Sequence, residues 1–217
     1  MGSPSDGLYG NAWPSESDAP SMRLVLEAFY NRCHDISMTI LSAMEMALGV
    51  PHGSFTSRCG GGASELRINH YPQLSINANP HDMHRVWPHT DLGVITCLFQ
   101  DGVGGLEIED RGVKGRFEAV EPKSPDELIL NISETFERWT NGVVKAGVHI
   151  VRLPTEMRKG KKDEIVVPER FSIPFFVKAD RDACVGALKE FVSEERPAKF
   201  EDMTAVEYHL QRLAKAY

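Results

Sequence analysis

Between residues 25 and 47 the apolar positions recur at steps of three and four: Val25, Phe29, Cys33, Ile36, Ile40, Ala43 and Ala47. That spacing places them on one face of a helix. Asp18 ahead of Pro20 supplies a start signal, and Gly49 with Pro51 a stop. One long amphipathic helix is therefore predicted, its stripe packed on a core. After Gly60-Gly61-Gly62 the pattern changes to alternation, and short runs at 66–71, 93–99, 106–109, 117–120, 128–132, 147–153 and 171–177 read as strands. Turn signals separate them: Asp101-Gly102, Gly104-Gly105, Arg111-Gly112, Pro122 and Asn141-Gly142. Many short strands with regular turns predict a mainly β fold with flanking helices, a closed or double-sheet core such as a double-stranded β-helix (jelly roll). Helical signal returns at 182–194 and again at 204–216. Residues 1–20, rich in Ser, Pro, Gly and Asp, read as a flexible arm. Residues 21–62 read as a helical amino-terminal segment, and 63–217 as the jelly-roll domain with carboxy-terminal helices.

Composition narrows the possible functions. The 217 residues carry 41% apolar and 25% charged positions, ordinary for a folded domain. No run approaches the roughly 20 apolar residues of a spanning helix, and the small polar amino terminus lacks the basic and apolar regions of a secretory signal. A cytoplasmic protein with no membrane partner is expected. A formal charge of −7 argues against nucleic-acid binding through phosphate neutralisation. The basic cluster from Arg158 to Lys162 reads as a solvated loop. The four cysteines, Cys33, Cys59, Cys97 and Cys184, form no CxxC pair and read as reduced thiols.

The chemistry lies in polar residues set two apart in otherwise apolar strands: Asn69 and Tyr71, His89 and Asp91, Arg170 and Ser172. Side chains at such spacing share one face of a strand. His149 stands alone in the apolar run 148–151. Buried polar groups without partners are costly, so each pair needs something to meet it. Two imidazoles and a carboxylate on one face of a metal ion leave three adjacent positions open, as in non-haem Fe(II) oxygenases. A guanidinium fork with a nearby hydroxyl suits a carboxylate ligand. Taken singly, each feature has a simpler explanation: a strand histidine is usually a satisfied core residue, and an RxS pair a surface ladder. Zinc hydrolysis is disfavoured, since no HExxH supplies a general base. The loop with His81 and His84 just ahead of His89 is a candidate substrate lid, with Arg85 and Trp87 its notable side chains. Leu98 and Phe176 are expected to line the barrel interior.

At these residues the chain resembles the isopenicillin N synthase-like branch of the 2-oxoglutarate/Fe(II) dioxygenases, over most of its length from Asn11 onwards. Leu66–Pro72 is similar to the strand leading into the family's core, and His89–Ile108 to its proximal iron segment. Trp139–Gly142 precedes the distal histidine as in the family, and Arg170–Phe176 resembles the co-substrate motif. The resemblance implies iron, Fe(2+), on His89, Asp91 and His149. It implies 2-oxoglutarate on Arg170 and Ser172, with Tyr71 adding a hydroxyl and Asn69 nearby. It also implies O₂ as co-reactant, ascorbate as a reductant for the iron, and a small organic substrate that is hydroxylated, desaturated or cyclised in secondary metabolism. Two alternatives stay open: an iron oxidase of the same fold that uses no 2-oxoglutarate, and a catalytically idle domain. Glu134 and Ile150 depart from residues common in the family. Members usually carry further residues ahead of the long helix, so an amino-terminally short member is expected. The substrate's identity and the oligomeric state are not legible.

Overall fold

The computed structural model describes residues 1–76, 83–120, 124, 126–158 and 165–214. The long helix forms as α1 (Met22–Leu48) and stops at Gly49, whose φ of 68° suits glycine and whose N–H closes on Glu45 and Met46 carbonyls. Its buried face follows the expected stripe only in part: Cys33, Phe29 and Ile40 pack on the core. Tyr30, Cys33, Ser37, Leu41 and Glu45 are buried, whereas Val25 is 60% exposed, and Ala43 and Ala47 face outwards. Polar groups with local partners turn the helix. The Tyr30 hydroxyl donates to the Gly61 and Ser64 carbonyls, and the Glu45 carboxylate accepts the N–H groups of Gly53, Phe55 and Thr56. A count of apolar positions cannot register these bonds.

The strands are β1 (Glu65–Leu66), β2 (Asn69–Tyr71), β3 (Leu74–Ile76), β4 (His84–His89), β5 (Ile95–Gln100) and β6 (Leu106–Glu109). They continue as β7 (Phe117–Ala119), β8 (Ile129–Ile132), β9 (His149–Arg152), β10 (Ile165–Val167) and β11 (Arg170–Val177). One antiparallel sheet runs β1-β11-β5-β8 with β2 also on β11; a second runs β4-β9-β6-β7; β3 and β10 pair apart. This is the expected jelly-roll core. Along β11 the side chains alternate. Phe175 and Val177 join Tyr30, Cys33 and Leu41 of α1 in the core on one face, while Arg170, Ser172, Pro174 and Phe176 line a cavity on the other. Trp139, Phe136 and Phe55 complete that core, each buried aromatic contributing about 1.5–3 kcal/mol.

Several expectations need correction. β4 is not foreseen, because His84-Arg85-Val86-Trp87-Pro88-His89 shows no apolar alternation; its register against β9 shifts twice. The segment 182–194 is not a helix; only Lys189–Phe191 makes a 3-10 turn. Its carbonyls, with those of Pro197 and Glu201 beyond it, serve α2 (Glu134–Trp139) and the turn after it instead. Arg138 donates to Val185 and Glu201, Trp139 Nε1 to Cys184, and Asn141 Nδ2 to Phe191 and Pro197. A single-turn α3 (Thr155–Arg158) follows β9, and the carboxy-terminal helix forms as α4 (Ala205–Ala214). Within residues 1–20, Gly2 bridges Glu65, the Met1 nitrogen donates to the Leu66 carbonyl at 2.6 Å, and Asp6 pairs with Arg181 at 2.6 Å. Pro122, Lys159–Lys162 and His81 lie outside the described residues. No described helix is long and apolar enough to cross a membrane.

Candidate active site

The sheet containing β4 and β9, with the turn after β4, brings His89, Asp91 and His149 together. His89 closes β4 and is the direct cross-strand partner of His149 on β9; their rings lie 4.2 Å apart. Asp91 is not in a strand, as expected, but in the turn after β4. That turn aims its Oδ1 at both rings, 3.7 Å from His89 Nε2 and 3.8 Å from His149 Nε2. All three potential ligand atoms lie within 4.8 Å of one another.

Second partners orient each group. His89 Nδ1 meets the Trp87 carbonyl at 2.8 Å and His149 Nδ1 the Gly147 carbonyl at 3.1 Å. Carbonyls only accept, so each Nδ1 carries a proton, which turns each Nε2 towards Asp91. Asp91 Oδ2 accepts the Thr96 hydroxyl at 2.7 Å and Asn131 Nδ2 at 3.1 Å, leaving Oδ1 towards the imidazoles. Burial holds the His149 pKa below its ordinary value; Asp91 opposes that shift and His89 adds to it. Two imidazoles and a buried carboxylate, every outer position already bonded, fit a divalent transition metal such as iron.

Another wall of the cavity is built by β2 and β11. Arg170 is the cross-strand partner of Tyr71, and Ser172 of Asn69, so the two polar pairs seen in the sequence face each other. Asn69 Nδ2 lies 3.3 Å from Ser172 Oγ, and the Arg170 guanidinium sits 5.3 Å from the Tyr71 ring centre. Arg170 is 1% exposed, held by Gln100 Oε1 at 2.8 Å and the Gly104 carbonyl at 3.1 Å. Gly104 and Gly105 make that carbonyl available through left-handed turns, φ 83° and 89°; a Cβ on Gly105 would stand 2.2 Å from the Arg152 carbonyl. The histidines, Asp91, Arg170 and Ser172 border one cavity of about 360 Å³, whose remaining wall is mostly aliphatic, including Leu98, Ile108 and Val151. Phe176 and Leu98 face this interior as expected.

Sequence reasoning does not assign Thr96, Asn131, Gln100 or Gly104 a part. Thr96 and Gln100 are findable as polar positions alternating with apolar ones on β5; Asn131 and the Gly104 carbonyl carry no such signal. Trp87, a candidate for the pocket lid, is 69% exposed and packs on His84.

The model of the 2OG-Fe(II) oxygenase superfamily matches residues 63–179, and the chain belongs to that superfamily. It is 49% identical over 217 residues to the 2-oxoglutarate-dependent dioxygenase phqC of Penicillium fellutanum, covering 100% of this chain and 61% of that protein. It is 38% identical over 218 residues to the proline hydroxylase buaE of Petromyces alliaceus, covering 100% and 67%. Among solved structures, a full-length Neurospora crassa protein in complex with alpha-KG superposes with a TM-score of 0.87 at 27% identity, over 100% of this chain and 64% of that one. The chain thus spans about three fifths of the length of several relatives it matches.

Proposed function

We propose that this chain couples oxidative decarboxylation of 2-oxoglutarate with O₂ to oxidation of a small organic molecule in secondary metabolism, by hydroxylation, desaturation or ring chemistry. The observation that carries the reading is one cavity with both a His-Asp-His cluster and a buried guanidinium on its wall. In this reading His89, Asp91 and His149 hold Fe(II). Arg170 and Ser172 take the distal carboxylate of 2-oxoglutarate, with Tyr71 and Asn69 beside them. The bound iron and keto acid supply the activation of O₂ and the oxidising power. The chain's own contribution is placement. Carbonyl acceptors set both histidine tautomers, Thr96 and Asn131 aim Asp91, and Gln100 with Gly104 hold the Arg170 fork towards the cavity. Aliphatic side chains such as Leu98, Ile108 and Val151 shape the rest of the cavity beside the reacting centre. The names of the relatives support the co-substrate, and proline hydroxylase among them supports a small-molecule substrate. Ascorbate as a reductant for the iron and a cytoplasmic location belong to the same proposal.

Anaerobic Fe(II)-loaded protein titrated with 2-oxoglutarate tests it, followed by the visible metal-to-ligand charge-transfer band. The band is expected for the native chain and lost in His149→Ala and Arg170→Ala at the same concentrations. Iron binding without a band at any concentration would favour an oxidase that uses no 2-oxoglutarate.

A further inference from the structure

Arg85 reaches across from β4 to the base of β11, where its Nη2 donates to the Pro168 carbonyl at 3.0 Å. Its guanidinium carbon lies 5.2 Å from the centre of the Tyr71 ring, and that of Arg170 lies 5.3 Å from the same centre. The two cations are therefore no farther apart than those distances combined. Neither has a carboxylate as hydrogen-bond partner among the described residues. Arg170 is held by an amide oxygen and a carbonyl, Arg85 by a carbonyl alone, and Arg85 Nη1 is buried with no partner. Asp101 is the carboxylate whose charge acts on both, but its oxygens already accept the N–H groups of Phe171 and Val103. One buried and one half-buried cation against one engaged carboxylate leave local positive charge, and a buried charge left uncompensated is costly.

We infer that Arg85 is a second cation of the co-substrate pocket, a positioning residue that acts on the distal carboxylate of a dicarboxylic 2-oxo acid by its field and by stacking on Tyr71. The inference rests on the function proposed above. Arg170 and Tyr71 line the cavity and Arg85 does not, so Arg170 is the direct fork and Arg85 acts through the Tyr71 ring it stacks on. Its action is selective for the ligand's second charge, because the chelating end of the keto acid is identical in mono- and dicarboxylic compounds. A charge several ångströms away in a partly buried site changes anion affinity by about three- to tenfold.

The test compares 2-oxoglutarate with 2-oxopentanoate, which has the same chain length and chelating end but no distal carboxylate. Each is titrated into anaerobic Fe(II)-loaded protein and followed by the charge-transfer band. Arg85→Gln keeps a donor for the Pro168 carbonyl and loses the charge; Arg85→Lys keeps a charge. Arg85→Gln is expected to weaken 2-oxoglutarate about three- to tenfold while leaving 2-oxopentanoate unchanged, with Arg85→Lys close to native. Equal weakening of both acids, or no weakening of either, overturns the inference. If Arg85→Gln does not fold, Arg85→Lys decides by itself: weakening of both acids together makes Arg85 a structural pin and overturns it. Arg170→Ala in the same titration separates the two proposals. Undiminished 2-oxoglutarate affinity in that variant would sink the anchor reading itself, whatever Arg85 does.

Discussion

The Thr96 hydroxyl donates to Asp91 Oδ2 at 2.7 Å, and that bond decides which oxygen of the carboxylate faces the two imidazoles. Thr96 sits on β5 opposite Phe176 of β11, so the rigid sheet, and not the turn carrying Asp91, sets the carboxylate's angle. Thr96→Val removes the donor at nearly constant volume. Asn131 Nδ2 remains as a weaker partner at 3.1 Å. Metal affinity of the apoprotein is expected to fall about tenfold, in the range found for loss of such outer partners, with the unfolding midpoint little changed. Titration with Fe(II) or Mn(II) under argon checks this. Native affinity in Thr96→Val together with Asn131→Ala would show that the turn alone orients Asp91.

The parts of this site that sequence reasoning reaches are those written in strand periodicity. His149 in an apolar run, and Arg170 with Ser172 two apart, declare their face through alternation alone. The pairing of β2 with β11 then explains why Asn69 and Tyr71 carry the same spacing: each stands opposite one of them. Asp91 falls in the right cluster for an incomplete reason, since it lies past the end of its strand. β4 escapes notice because a bulged edge strand with Trp87 and Pro88 has no period to detect. The buried face of α1 escapes because Ser37 and Glu45 are inside, satisfied by bonds to backbone groups. The segment 182–194 has helical composition, yet α2 claims its carbonyls. Such outcomes depend on contacts between distant segments, which no window of local sequence contains.

Glu134 ties the turn between His89 and Asp91 to α4. It accepts the Thr90 and Tyr208 hydroxyls and Arg212 Nη2, the last at 2.8 Å, while its N–H donates to the Asp91 carbonyl at 2.8 Å. α4 has no fully buried residue, so these polar bonds matter more to its docking than apolar burial does. Glu134→Ala strands two hydroxyls and a guanidinium, at a cost of about 2–4 kcal/mol. The expected result is a lower urea midpoint and faster proteolysis within α4, with Glu134→Gln intermediate. An unchanged proteolysis rate would mean that α4 is held by other contacts.

Glu107 on β6 is 2% exposed and pairs with both Arg152 and Arg158. Its neighbours Leu106 and Ile108 face the cavity, so this ion cluster stiffens the outer side of the sheet that carries His149. Removing the one anion leaves two cations at a partly buried site. Glu107→Ala is expected to cost about 3–5 kcal/mol, and the loss should persist at high salt, because buried pairs are poorly screened. Denaturant unfolding in low and high salt checks both points. A loss that vanishes in salt would identify the cluster as a surface pair.

Glu45 links stability to pH. Burial alone would raise its pKa, but the N–H groups of Thr56, Gly53 and Phe55 and the Thr56 hydroxyl outweigh burial and lower it. A carboxyl whose folded pKa lies below its unfolded one contributes stability above the unfolded value, near 4.5. That contribution is lost as the pH falls through the folded value. Glu45→Gln keeps the size of the side chain and loses the charge that the backbone donors favour. At pH 7 the variant is expected to be less stable by about 1–3 kcal/mol, and the gap should narrow as the pH falls below the unfolded value near 4.5 and the native carboxyl protonates. Urea midpoints of both proteins across that range measure it. A gap independent of pH would assign the effect to hydrogen-bond geometry and not to the charge of Glu45.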